Sequence, residues 1–221
     1  MSEHIALATA VYEGVKPKAF RAIQRMSIRI GQSFGTVWVI SPQRDRLTYP
    51  FCVSGYIYAL FAREEAEGCR ADWLLWLEDD VVPPADLYEK LRAAADPLHK
   101  PYVCALAYCN SPPYWPGVAD IEGNRRIQWQ EAPAEGTHAV DSVGMCAALF
   151  HRSVFDRVKE PWFGVLPPRE NSGIGPDAYW CYRLKEHGIQ PYVCCDAEVG
   201  HVGTGPVITR ELSERWNAQQ H

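Results

Sequence analysis

Nowhere does this chain approach the ~20 uninterrupted apolar residues that a membrane-spanning helix needs, and its first residues lack the basic-then-apolar layout of a secretory leader. The expectation is a soluble, cytoplasmic protein with no stable membrane insertion. Positive charge is also scarce. The 22 Lys and Arg against 27 Asp and Glu leave a net charge of -5, which removes any general electrostatic pull toward nucleic acid. A local basic cluster at Lys16, Lys18, Arg21, Arg25 and Arg29 reads as the solvated face of a helix. CxxC pairs and zinc-finger histidine spacing are missing as well. The eight cysteines are scattered through hydrophobic segments and read as reduced, mostly buried thiols rather than disulfides or a zinc site. There is no internal repeat and no low-complexity segment.

What the chain does have is enough apolar material for one core of ordinary size, at 47% hydrophobic and only 22% charged residues over 221 positions, so a single domain spanning 1-221 is expected. Ile5 to Val11 is an apolar, β-prone run, and Pro17 to Ile30 has helical spacing at Phe20, Ile23 and Ile30. Thr36 to Ile40 reads as a second strand, Ser54 to Glu67 as a helix, and Asp72 to Leu77 as a third, nearly continuous apolar strand. This β-α-β-α-β alternation predicts an α/β fold with a mostly parallel central sheet flanked by helices, whose ligands sit at the carboxyl ends of the strands. Asp86 to Ala95 reads as a helix and Tyr102 to Ala107 as a strand. From Asn110 to Gly136 the pattern dissolves into loops with a hairpin signal at Gly123-Asn124. A short helix over Ser153 to Val158, an amphipathic helix over Pro176 to His187 and a final strand over Tyr192 to Cys195 complete the reading.

Three consecutive carboxylates, Glu78, Asp79 and Asp80, follow the strand ending at Leu77. Strand alternation lets Glu78 and Asp80 face one ligand while Asp79 turns away. Two like charges held close are favoured only when a cation joins them, and a hard divalent ion bridging to phosphate oxygens is the natural partner. The alternative is a solvated acidic loop at the start of the helix that follows Pro83-Pro84.

The segment from Asp72 to Pro84, with its Trp-Leu-Leu-Trp-Leu-Glu-Asp-Asp core, resembles the DxD region of GT-A fold glycosyltransferases, particularly the family 2-like enzymes of bacterial and phage type. The resemblance implies one GT-A-type, Rossmann-like domain, with a nucleotide-sugar-binding half at 1-110 and an acceptor-binding half at 111-221. It also implies that Glu78 contacts the nucleotide ribose, with Asp79 beside it, and that Asp80 binds Mn2+ or Mg2+. The run from Gly173 to Gln190 is similar to the family's acceptor-side helix, which makes Asp177 the general base. Gly200-His201-Val202-Gly203 is similar to the setting of a histidine that completes the metal site, and Gly144 in Asp141-Ser-Val-Gly resembles the glycine strand beneath donor sugar and acceptor. Thr9, Ala10 and Val11 match the place that holds the nucleotide base, and Asp45 is a further base or ribose candidate. Glu78 stands where the family usually has Asp, and Pro176 where it usually has Glu.

The activity implied is transfer of a sugar from a nucleoside diphosphate sugar to an acceptor hydroxyl with inversion, in a bacterial or phage-infected cell. The acceptor is open between a glycan precursor and a hydroxylated DNA base, with Tyr114, Trp115 and Trp129 as stacking candidates. Nucleotidylyl transfer and a catalytically silent nucleotide- or sugar-binding module are the alternatives. The first usually needs a basic, glycine-rich phosphate loop after the first strand, and Ala8 to Gly14 offers little of that.

Overall fold

The computed structural model describes residues 3-10, 16-40, 49-122, 125-164, 175-203 and 205-219. The first half runs β1 (Glu3–Ala10), α1 (Pro17–Ser33), β2 (Gly35–Ile40), α2 (Tyr49–Glu67), β3 (Trp73–Glu78), β4 (Val81–Val82), α3 (Leu87–Ala94) and β5 (Tyr102–Leu106). The second half runs β6 (Val118–Glu122), β7 (Arg125–Gln128), β8 (Thr137–Ala139), β9 (Ser142–Val143), β10 (Ala147–His151), α4 (Val154–Arg157), α5 (Pro176–Glu186), β11 (Tyr192–Glu198), β12 (Gly200–Val202), β13 (Val207–Ile208) and α6 (Arg210–Ala218).

A seven-stranded sheet, in the order β2-β1-β3-β10-β5-β11-β8, forms the centre. The sheet is mainly parallel but mixed. β2, β1, β3, β5 and β11 run one way, whereas β10 is antiparallel to both β3 and β5, and β8 is antiparallel to β11. The expected β-α-β-α-β alternation describes the first half, and the reversed strand comes from the second.

Strand alternation explains why the central strands read as unbroken apolar runs. Ile5, Leu7, Trp73, Leu75 and Leu77 enter one buried cluster with Ile23, Met26 and Leu91. Their neighbours Ala6, Ala8, Leu74 and Trp76 enter another with Ile57, Leu60, Phe155 and Trp180. Both faces of the sheet are therefore covered, by α1 and α3 on one side and by α2, α4 and α5 on the other. Full burial of each Ile, Leu, Met or Phe among them contributes about 1.5–3 kcal/mol.

Three sequence expectations need correction. Phe20 is 50% exposed, because the buried stripe of α1 follows the i, i+4, i+7, i+11 spacing of Ala19, Ile23, Met26 and Ile30 and Phe20 lies off that face. The strand expected to end at Cys195 continues to Glu198. It is also not the last element, since β12, β13 and α6 follow. The hairpin expectation fits the antiparallel pairing of β6 and β7 through Glu122 and Arg125, while Gly123 and Asn124 lie outside the described residues.

Two small sheets extend the site end of the molecule. β12 pairs with β4 and β13, setting His201 opposite Val81 and Ile208. Gly200 is required there, because a Cβ would collide with the Val207 side chain. The second small sheet joins β6 to β7 and to β9. No helix among the described residues is long and apolar enough to cross a membrane.

Candidate functional site

The carboxyl end of β3 is where the chemistry collects. Glu78 lies opposite Ala10 at the end of β1, and its amide donates to the Cys146 carbonyl at 2.9 Å. Because β10 runs against its neighbours, Cys146, the residue before it, arrives at this same edge. The Glu78 carboxylate, the Cys146 thiol and the His201 imidazole bring one donor atom each within 4.8 Å of one another.

Asp80 joins this cluster from the following turn, with Oδ2 at 3.1 Å from His201 Nε2. The turn is fixed by the Val202 amide, which donates to the Asp80 carbonyl at 2.8 Å. His201 Nδ1 lies 2.9 Å from the Tyr108 carbonyl. A carbonyl only accepts, so Nδ1 carries the hydrogen, and in neutral imidazole the Nε2 lone pair then faces a carboxylate oxygen. Two acceptors at that distance need a proton or a cation between them.

The electrostatics agree. Burial by itself lowers the basicity of His201, but the Asp80 hydrogen bond, the Tyr108 carbonyl and the charges of Asp80 and Glu78 outweigh it and raise its pKa above the ordinary 6.5. Burial pushes the Cys146 thiol well above its usual value, reinforced by the charges of Glu78, Asp177 and Asp80 and by its hydrogen bond to Glu78. The neutral thiol thus donates to the carboxylate.

Cys146 and His201 also line a cavity of about 370 Å³, together with Gly144, Asp177, Arg126 and Tyr108. Asp177 stands in the first turn of α5, which begins at Pro176 after Gly175. Proline suits that first position because its missing N–H has no helical partner there, and a carboxylate in the first turn is favoured by the helix dipole. Asp177 Oδ2 accepts the Met145 amide at 3.3 Å. A Cβ on Gly144 would lie 3.9 Å from the same oxygen, which places Gly144 directly beside Asp177.

The structure therefore brings Glu78, Asp80, Gly144, Asp177 and His201 into one region. Thr9 and Ala10 lie on the neighbouring strand end, opposite Leu77 and Glu78, and the Thr9 carbonyl accepts the Tyr56 hydroxyl. The Asp79 carbonyl accepts the Lys16 amide at 3.1 Å, tying the acidic turn to the start of α1. Val11 and Asp45 lie outside the described residues. Trp129 donates its indole N–H to Asp120 at 2.7 Å, a bond made at the edge of the ring.

Cys146 is the functional candidate that the sequence reading missed. It was grouped with the inert thiols because its neighbours Ala147 to Phe150 form an apolar run. The one local signal is its position between the Gly144 turn and that run, a strand start rather than a strand interior. The seven described cysteines are free thiols.

In class, the molecule is a mixed α/β fold with a mainly parallel sheet, and glycosyltransferases are among the solved structures that it resembles. No protein-family model matches the chain, and no curated protein matches it in sequence. The structure of A197 from STIV is similar with a TM-score of 0.58 at 15% identity, over 95% of this chain and 91% of that one. A mutant Drosophila β1,4-galactosyltransferase 7 in complex with manganese, UDP-Gal and xylobiose is similar with a TM-score of 0.47 at 12% identity, over 91% of this chain and 71% of that one. A glycosyltransferase involved in glycosylation of the major capsid of PBCV-1 gives a TM-score of 0.45 at 13% identity, over 97% and 98% of the two chains.

Proposed function

We propose that this chain is a metal-dependent glycosyltransferase of GT-A type, similar to family 2, that transfers a sugar from a nucleoside diphosphate sugar to an acceptor hydroxyl with inversion. The observation that carries this reading is the convergence of Glu78, Asp80 and His201 at the carboxyl edge of the sheet, next to a cavity walled by Asp177. The chain acts as one domain, with residues 1-110 serving the donor and 111-221 the acceptor.

Asp80 and His201 hold the divalent ion, with Glu78 and Cys146 adjacent. An imidazole nitrogen beside carboxylate oxygens suits Mn2+ better than Mg2+, which takes oxygen ligands almost exclusively, and the neutral Cys146 thiol stays outside the ligand set. When bound, the ion neutralises charge developing on the departing diphosphate. Asp177, across the cavity, accepts the proton of the acceptor hydroxyl as that oxygen attacks the anomeric carbon. The Met145 amide holds Asp177 in position, and Gly144 lets the substrates approach. Thr9, Ala10, Val11, Asp45 and Asp79 serve the nucleotide base and ribose. The Tyr108 carbonyl fixes the imidazole tautomer so that Nε2 presents its lone pair to the ion.

The test is a melting-temperature screen against UDP, GDP, CDP and TDP, each with Mn2+, Mg2+ or EDTA, because a ligand that binds only the folded state raises the melting temperature. One nucleotide should give a shift that disappears with EDTA and in Asp80→Ala. No shift with any pair defeats the metal-dependent reading, donor hydrolysis without acceptor excludes a silent binding module, and a retained anomer in the product excludes inversion.

A further inference from the structure

A second and larger cavity, about 820 Å³, lies beside the first and shares Tyr108 with it. Its size is within the roughly 300–1,000 Å³ of ordinary small-molecule sites. The walls include Trp115, Gln130, Glu131, Glu214, Trp216 and Asn217. They come from three separate segments, and the structure ties these together. Ser213 on α6 donates to the Tyr114 carbonyl at 2.8 Å, and the Tyr114 and Trp216 rings meet edge-to-face at 5.7 Å. Arg210 donates to the Ala132 and Pro133 carbonyls at 3.1 and 3.0 Å.

We propose that this cavity is an acceptor subsite for a neutral oligosaccharide, whose end reaches past Tyr108 into the cavity of Asp177. The proposal rests on the sugar-transfer reading and names the acceptor class. Its chemistry comes from the lining. The half-buried Trp115 and Trp216 offer apolar ring surface for the C–H faces of sugar rings. Gln130, Asn217 and the two glutamates offer donors and acceptors that suit hydroxyl groups.

Charge selects among occupants. Glu131 and Glu214 line the cavity, and no Lys or Arg does among the described residues. Of the two arginines on α6, Arg210 is committed to two carbonyls and to Glu198, and Arg215 faces Glu211 at 3.7 Å. An acidic cavity repels phosphates, so a nucleic-acid strand, held chiefly through phosphate contacts, is disfavoured there. An uncharged polyhydroxylated chain carries no such penalty.

The experiment titrates the protein with cellotriose, maltotriose, mannotriose and chitotriose, and with a single-stranded thymidine decamer. Binding is read by saturation-transfer NMR and tryptophan fluorescence. Trp216→Ala removes a stacking face. Ala218→Trp fills the cavity from an exposed helix position without removing a packed side chain. At least one trisaccharide should bind, and both variants should weaken it by about tenfold or more, while the nucleotide and Mn2+ melting shift stays unchanged. Absence of binding by every trisaccharide, binding that both variants leave intact, or decamer binding that depends on Trp216 overturns the subsite. Loss of the nucleotide and Mn2+ shift in the unaltered protein would instead defeat the transferase reading alone, so the two failures are distinguishable.

Discussion

The two edges of the central sheet carry similar residues put to opposite uses. At the amino edge of β3, the Glu64 carboxylate, 8% exposed, accepts from Arg152 at 2.8 and 3.0 Å and from the Ala71 amide at 3.0 Å. Asp156 there pairs with Arg70 at 2.7 Å, and the Arg152 guanidinium lies 4.2 Å from the Phe61 ring centre. At the carboxyl edge, Glu78 and Asp80 face a thiol and an imidazole instead. Carboxylates matched by guanidinium hold structure, whereas carboxylates gathered around a thiol and an imidazole lack a fixed countercharge, which under the proposed function a metal ion supplies.

The strongest way to sharpen this contrast is Asp177→Asn. Sugar transfer should fall by about 10²–10⁴-fold, the usual contribution of a positioned acid or base, while the melting shift with nucleotide and Mn2+ persists. Loss of that shift together with the activity would break the separation of base from metal site. At the other edge, Arg152→Met should lower stability by about 3–5 kcal/mol, because Glu64 is left buried without its countercharge. Denaturant unfolding measures this, and nucleotide affinity should not change. His201→Ala should weaken Mn2+ binding, followed by titration of the nucleotide melting shift. The loss should be at least the roughly 10–100-fold that removal of a partner behind a metal ligand costs. An unchanged Mn2+ half-saturation would move His201 to the structural side of the comparison.

The smallest expected effect concerns pH and has opposite signs at the two edges. His151, at the amino edge, has its pKa lowered, chiefly by burial and further by Arg92 and Arg70. Its contribution to stability is present above the ordinary 6.5 and lost as pH falls through the lowered folded value. His201 is raised, and its contribution is present below 6.5 and lost as pH rises through the raised folded value. In EDTA, His151→Gln should therefore remove an acid-side fall in melting temperature, and His201→Gln an alkaline-side fall. Slopes of the same sign in the two variants would contradict the assignment.

Much of the carboxyl edge was legible in the sequence because β1 and β3 must be apolar on both faces, so the first charged residues after Leu77 had to mark the end of the strand. Asp177 and His201 were found through resemblance, and the fold brings them to that edge. What stayed hidden depends on pairing rather than periodicity. β12 and β13 contain three and two residues, too few to show alternation, and they exist because Gly200 and His201 pair with β4. In α6 the buried residue is Ser213, so no apolar stripe announced it. Cys146 was illegible because its role follows from the reversed direction of β10, which no local pattern encodes.

That reversed strand has a consequence for how the chain reaches its native state. β3 and β5 are not direct neighbours, since β10 lies between them and pairs with both. During synthesis, β3 and β5 emerge first and expose unpaired edges until residues 147-151 arrive. Closing the sheet then requires contacts far apart in sequence, such as Ala147 with Leu77, which carry a high loop-closure cost and slow the rate-limiting step. A fragment ending at residue 110 should accordingly aggregate through its open strands, and solubility should return only when the chain extends through Glu198, since β5 also pairs with β11 and α5 covers one face of the sheet.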